Sequence, residues 1–174
     1  PRGKLTFTAD PSSTDILARA RRAATEAERT GTTPRPHFVR SIEAAIGAPE
    51  PVLDAAEYVV VFRGRRACSR CARFTPELKR AYAQLRRDHE NFQVVFLSDD
   101  RTEADFDQYV AEAEMPWPVV PYGKVDEAAH ARTIPGGRML PVVLLVAPDG
   151  TVIDSTQRSS ARDVLNTLRS KLRG

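Results

Sequence analysis

The chain holds two cysteines, Cys68 and Cys71, separated only by Ser69 and Arg70. Two thiols at this spacing can close and open a disulfide, accept a metal, or sit inert in a core. A structural zinc site needs four ligands. The remaining soft donors, His37, His89 and His130, have no ligand spacing to the pair or to one another, so no metal is expected. A purely structural disulfide would close too short a loop to remove much entropy from the unfolded chain. Five arginines between Arg63 and Arg73 argue against thiols that are wholly buried spectators. A cysteine–histidine hydrolase needs a histidine placed on its nucleophile and has no use for a second cysteine. Redox exchange is the chemistry that uses both thiols. With a helix beginning near Cys68, its unpaired amides face the first sulfur and favour the thiolate. Cys71, one turn on, then lies beneath it and can attack a mixed disulfide formed there.

The elements needed to hold this pair are visible on either side. Tyr58–Phe62 is a short β-branched run without alternation, as for a strand covered on both faces. After the pair, Phe74, Leu78, Ala81, Tyr82 and Leu85 keep helical spacing to about Asp88, with Pro76 inside, where it is expected to kink the helix. Phe92–Ser98 is a second buried strand, and Thr102 can cap a helix carrying Phe106, Tyr109, Val110 and Ala113. Met115–Pro121, with its three prolines, cannot be regular structure. A short helix is expected near Val125–Thr133. Leu140–Ala147, a turn at Pro148-Asp149-Gly150, and Thr151–Ser155 make two antiparallel strands. Ser159 or Ser160 caps a last helix whose core face is Val164, Leu165, Leu168 and Leu172. The order gives an α/β fold, a central mixed sheet with helices on both faces.

Residues 1–51 read as a mostly helical N-terminal extension. It has a weakly alternating Lys4–Thr8, an alanine-striped helix over 15–29, a proline-bounded linker, and a short helix at about Phe38–Ile46. Residues 52–174 form the second division. At 174 residues, with 41% hydrophobic and 28% charged side chains, the composition is that of a soluble globular protein. No apolar run approaches the ~20 residues of a membrane helix, and none at the N-terminus has the core of a signal peptide. Two cysteines suit a cytoplasmic protein, and equally an exported one whose leader was removed. The net charge of +3 is too small to indicate nucleic acid, and the arginines lack aromatic interleaving.

Over roughly residues 52–172 the chain resembles the thioredoxin superfamily, in its tryparedoxin/nucleoredoxin-like branch. The likeness rests on Cys68-Ser69-Arg70-Cys71 after a buried strand, Phe74-Thr75-Pro76-Glu77-Leu78, and Val94-Val95-Phe96-Leu97-Ser98-Asp99-Asp100. Met115-Pro116-Trp117 with Val120-Pro121, and Leu140-Pro141 before a strand, complete it. The resemblance implies a cis Pro141 beside the dithiol, with Leu140 and Pro141 as a ledge for the partner chain. Trp117 is either a wall of that site or core filler. The sequence departs from the family where Ala67 replaces a tryptophan before the first cysteine. It departs again where Phe62 stands at the position of a frequent buried carboxylate, and where Ser69-Arg70 replaces Gly-Pro or Pro-Pro.

The implied function is thiol–disulfide exchange without a cofactor. Disulfide-containing proteins are the substrates and an external thiol is the electron donor; the chain itself is expected to act as a monomer. Substrate contacts are expected at Ala67, Trp117, Leu140 and Pro141. Arg66, Arg70 and Arg73 are expected to tune the first thiol and to favour acidic partners. The alternatives are a non-catalytic module whose dithiol switches a protein contact, and a structural role with the extension as a docking arm.

Overall fold

A computed structural model of the protein describes residues 37–48, 52, 53, 55–126, 128, 139–147 and 151–174. The expected strand at Lys4–Thr8, the helix over 15–29, the turn at 148–150 and most of the helix near 125–133 lie outside these residues. Four strands form one sheet: β1 (Tyr58–Gly64), β2 (Phe92–Ser98), β3 (Val142–Val146) and β4 (Val152–Ser155), in the spatial order β2-β1-β3-β4. β1 runs parallel to β2, with Tyr58 opposite Phe92 and Gly64 opposite Ser98. It runs antiparallel to β3, with Val61 opposite Leu144, and β3 is antiparallel to β4. β3 begins two residues later than its apolar run, because Pro141 has no amide to give to the ladder.

The unalternating apolar runs of β1, β2 and β3 follow from burial on both faces. Successive side chains point to opposite sides. One face thus receives Val59, Val61, Val95, Leu97, Val142, Leu144 and Val146. The other receives Val60, Phe62, Val94, Phe96, Val143 and Leu145. Helix α1 (His37–Ile46) falls within the expected extension, and its Val39, Ile42 and Ala45 are buried in the first of these layers. The second layer is closed by α2 (Ser69–Leu85), α3 (Glu103–Ala113) and α4 (Ala161–Arg173), through residues such as Phe74, Leu78, Phe106 and Leu165. The result is a mixed sheet flanked by helices, with a helical segment before the first strand.

The helix ends follow local chemistry. Thr102 caps α3 by accepting from the Asp105 amide, and Glu114 ends it in the left-handed region at φ 45°. Ser160, rather than Ser159, starts α4 in a reciprocal capping box with Asp163. The proline-rich segment after α3 is irregular but not idle. Phe96 donates to the Pro118 carbonyl and Val120 donates back to Phe96, both at 3.0 Å, which fixes Val119 beside the outer edge of β2. No helix among the described residues is long and apolar enough to cross a membrane.

Because Ile42 is fully buried among the sheet's valines, Ile42→Ala should lower unfolding stability by about 2–5 kcal/mol. Urea denaturation followed by the far-ultraviolet signal measures this. A loss under 1 kcal/mol would mean that α1 contributes little to the core.

Candidate redox site

The end of β1 delivers the chain to the site, and an acidic loop holds it there. Arg63 makes two hydrogen bonds to Asp99, at 2.9 and 3.0 Å, and the Asp99 amide donates to the Gly64 carbonyl at 2.8 Å. The ends of β1 and β2 are thereby joined. Beyond Gly64 the chain turns over Arg65–Ala67. Asp100 accepts from the Arg66 amide at 2.8 Å and also from the Ser98 hydroxyl. The Cys68 amide donates to the Arg65 carbonyl, closing the turn.

Cys68 is the N-cap of α2, with extended backbone angles, and it is half-buried. Its sulfur accepts the Cys71 amide at 3.1 Å, so one of the helix's orphan donors is satisfied by the Cys68 sulfur itself. Cys71 is fully buried against Phe62 and Phe74. Burial out of water is the main cause that pushes its thiol up, from the usual 9.0 to about 12. Its contact with Cys68 acts in the same direction, while the Arg65 backbone and charge act against it. The two thiols are therefore unequal by construction.

Phe62 accounts for the dryness. No carboxylate occupies its position; its ring is fully buried among Phe74, Phe96 and Trp117, at centroid distances of 5.7, 5.3 and 6.5 Å. Gly64 leaves room for this arrangement. A Cβ there would stand 3.1 Å from the Phe62 ring and 3.4 Å from the Cys71 sulfur. Trp117 is buried in the core: it is 4% exposed, its ring packs edge-on to Tyr82 at 5.6 Å, and its indole N–H has no acceptor among the described residues.

On the other side of the first turn lies a pair of buried hydroxyls. Thr75 Oγ1 donates to the Cys71 carbonyl at 2.9 Å and lies 2.8 Å from the Tyr109 hydroxyl. With the threonine proton used on the carbonyl, the tyrosine must be the donor in the second bond. Burial is the main cause that raises Tyr109 from 10.0 to about 12. This link between α2 and α3 escaped the sequence reading, which took Tyr109 as one more apolar position.

The Leu140–Pro141 bond is cis. Leu140 and Met139 join Arg65, Ala67, Cys68, Ser69 and Arg70 around a groove of about 350 Å³ at the exposed side of Cys68. The expected contacts thus divide. Ala67 and Leu140 border the groove, Trp117 lies in the core, and Arg70 is at the groove. Arg66 turns away, its guanidinium 3.2 Å from Asp105 and 3.8 Å from Glu112. Arg73 is exposed on α2, with no ion pair among the described residues. Arg65, one of the five arginines between Arg63 and Arg73, is the arginine that shares the groove with Arg70.

Residues 56–152 match the model of the thioredoxin-like family. The chain is 34% identical over 111 residues to nucleoredoxin of Homo sapiens, covering 63% of this chain and 24% of that protein. It is also 34% identical over 119 residues to probable nucleoredoxin 3 of Oryza sativa subsp. japonica, covering 66% of this chain and 24% of that one. The chain thus spans about a quarter of the length of these relatives. Tryparedoxin II from C. fasciculata superposes with a TM-score of 0.55 at 22% identity, over 76% of this chain and 93% of that one. The chain belongs to the thioredoxin-like family, in its nucleoredoxin/tryparedoxin branch, and it carries the Cys-x-x-Cys redox pair of that fold.

Two measurements check the site. An unfolded chain releases the Cys71 proton near pH 9 and the Tyr109 proton near 10, whereas the native state holds both to about 12. Stability of the reduced protein should therefore be level below pH 9 and fall as pH rises toward 12. Cys71→Ala should flatten the lower part of that slope in urea titrations at stepped pH; an unchanged slope would contradict a dry thiol. Thr75→Val leaves the tyrosine hydroxyl buried without a partner and should cost about 1–3 kcal/mol. Tyr109→Phe keeps the Thr75–carbonyl bond and should cost less, by the same denaturation measurement.

Proposed function

We propose that the chain is a thiol–disulfide oxidoreductase acting on protein or small-molecule disulfides. The observation that carries this reading is the inequality of the pair. Cys68 is accessible at a helix start and accepts a backbone N–H, while Cys71 is held protonated one turn inside. Cys68, as thiolate, attacks one sulfur of a substrate disulfide. A Cys68–substrate disulfide forms, and the other substrate sulfur leaves as thiolate. Cys71 then loses its proton and attacks the Cys68 sulfur, releasing the second substrate thiol and leaving Cys68–Cys71 oxidised. Two electrons pass to the substrate, and an external thiol donor returns them. Run backwards, the same exchange oxidises a dithiol.

The high pKa of Cys71 suits the order of events. A resolving thiol that ionised early would compete for the substrate or repel the first thiolate. One that stays neutral until the mixed disulfide has formed does neither. Deprotonation then depends on the local change that accompanies binding, since no carboxylate stands at Phe62 to take the proton. The cis Leu140–Pro141 step and the groove beside Cys68 supply the ledge on which a partner chain would lie. Residues 1–51 are proposed to be separate from this chemistry.

Trapping tests the assignment. Cys71→Ser should accumulate mixed disulfides through Cys68 when mixed with an oxidised protein substrate, and Cys68→Ser should accumulate none. Intact-mass analysis after acid quenching reads the outcome. Adducts on Cys71 in the Cys68→Ser protein would reverse the roles. Absence of turnover by wild type with dithiothreitol as donor would leave the dithiol as a binding switch.

A further inference from the structure

The arginines around the dithiol are sorted, and the sorting identifies a substrate preference. Arg63 is committed to Asp99, and Arg66 to Asp105 and Glu112. Arg65 and Arg70, the two that line the groove at Cys68, have no carboxylate within ion-pair reach among the described residues. Arg70 touches only the Met139 sulfur, at 3.9 Å. Arg65 is half-buried, and its Nε is enclosed without any hydrogen-bond partner.

The acids nearest this wall do not fill the vacancy. Asp100 and Asp105, with Arg101, share a second hollow with Arg65 and Ala67, and neither makes an ion pair to Arg65. Asp100 accepts from the Arg66 amide and the Ser98 hydroxyl, and Asp105 from Thr102 and the Arg66 guanidinium. Beside Arg70 stands Met139, 69% exposed and the only large hydrophobic side chain so exposed among the described residues. The groove therefore offers two planar cations without a carboxylate partner among the described residues and an apolar surface next to them, all bordering Cys68.

We propose that this groove takes disulfides that carry a carboxylate close to the sulfur. The carboxylate pairs with Arg65 and Arg70 while the carbon chain lies on Met139 and Leu140. The carboxylate belongs either to an acidic residue beside the substrate cysteine or to a small carboxylated disulfide. The inference rests on Cys68 being the attacking thiol, and the reaction is the exchange already written. The anion adds no redox step. It places the disulfide.

Single-turnover oxidation of the fully reduced chain tests it, with loss of thiol followed by alkylation and mass after rapid quench. One set of probes is the symmetric disulfide of N-acetyl-Cys-Glu-amide beside its Gln and Lys counterparts. A second set is 3,3′-dithiodipropionate beside its diamide. The expected second-order rates fall in the order Glu, Gln, Lys, with Glu over Gln by roughly three- to tenfold at low salt and less at high salt. Arg65→Gln and Arg70→Gln should each shrink that ratio toward one, and Arg65→Lys should restore part of it. Arg66→Gln should keep the ratio, because that charge is paired elsewhere. A preference confined to dithiodipropionate makes the source a small molecule; a preference in both sets admits acidic peptides as well. Equal rates across all probes would overturn this inference alone, as would a ratio that Arg66→Gln collapses as fully as Arg65→Gln does. No exchange with any probe would overturn the oxidoreductase reading beneath it.

Discussion

A thiol kept out of water is the constraint around which this site is built. Cys71 lies among Phe62 and a cluster of aromatic rings, and the Arg65 charge does not offset the solvent it has lost. Its neutral state is favoured there, whereas Cys68 stands half-buried at the start of α2. The surrounding architecture serves that division. Gly64 lets the ring and the buried sulfur approach, and the parallel pairing of β1 with β2 brings Asp99 and Asp100 beside the turn that precedes Cys68.

The positions of the charged groups follow from that scaffold more than from their order in the chain. Arg63, Arg65 and Arg66 are near neighbours in sequence yet meet three different surroundings. Arg63 closes on the acidic end of β2, Arg65 borders the groove, and Arg66 reaches across to α3. Each direction is fixed by the strand ending at Gly64 and by the tight turn after it. A single basic stretch is thereby divided into structural cations and available ones.

Much of this was legible from residue order alone, and the reason is locality. Strand runs, caps and the dithiol at a strand-to-helix junction depend on neighbours within a few positions, so Tyr58, Thr102, Ser160 and the Cys68–Cys71 pair could be placed. Leu140–Pro141 was placed by its resemblance to a known pattern. What escaped were contacts between distant segments. The Thr75–Tyr109 hydroxyl pair spans 34 residues, and helical spacing assigned Tyr109 to the apolar face without revealing what its hydroxyl meets. Arg66 was expected to act on the thiol, because closeness in sequence was the only measure at hand. The acids that draw it away lie on α3, about forty residues further along the chain.

The cap of α2 has a further consequence. In most helices the N-terminal amides are satisfied by a side chain that takes no part in chemistry. Here the acceptor is the Cys68 sulfur, and it takes the Cys71 amide. Once that sulfur is bound in a disulfide it becomes a weak acceptor, and the amide is released. The first turn of the helix is thus fastened by the atom that, in the proposed exchange, bonds to the substrate. A mixed disulfide there would unfasten the turn that carries the second cysteine, coupling the proposed covalent step to that turn through one hydrogen bond.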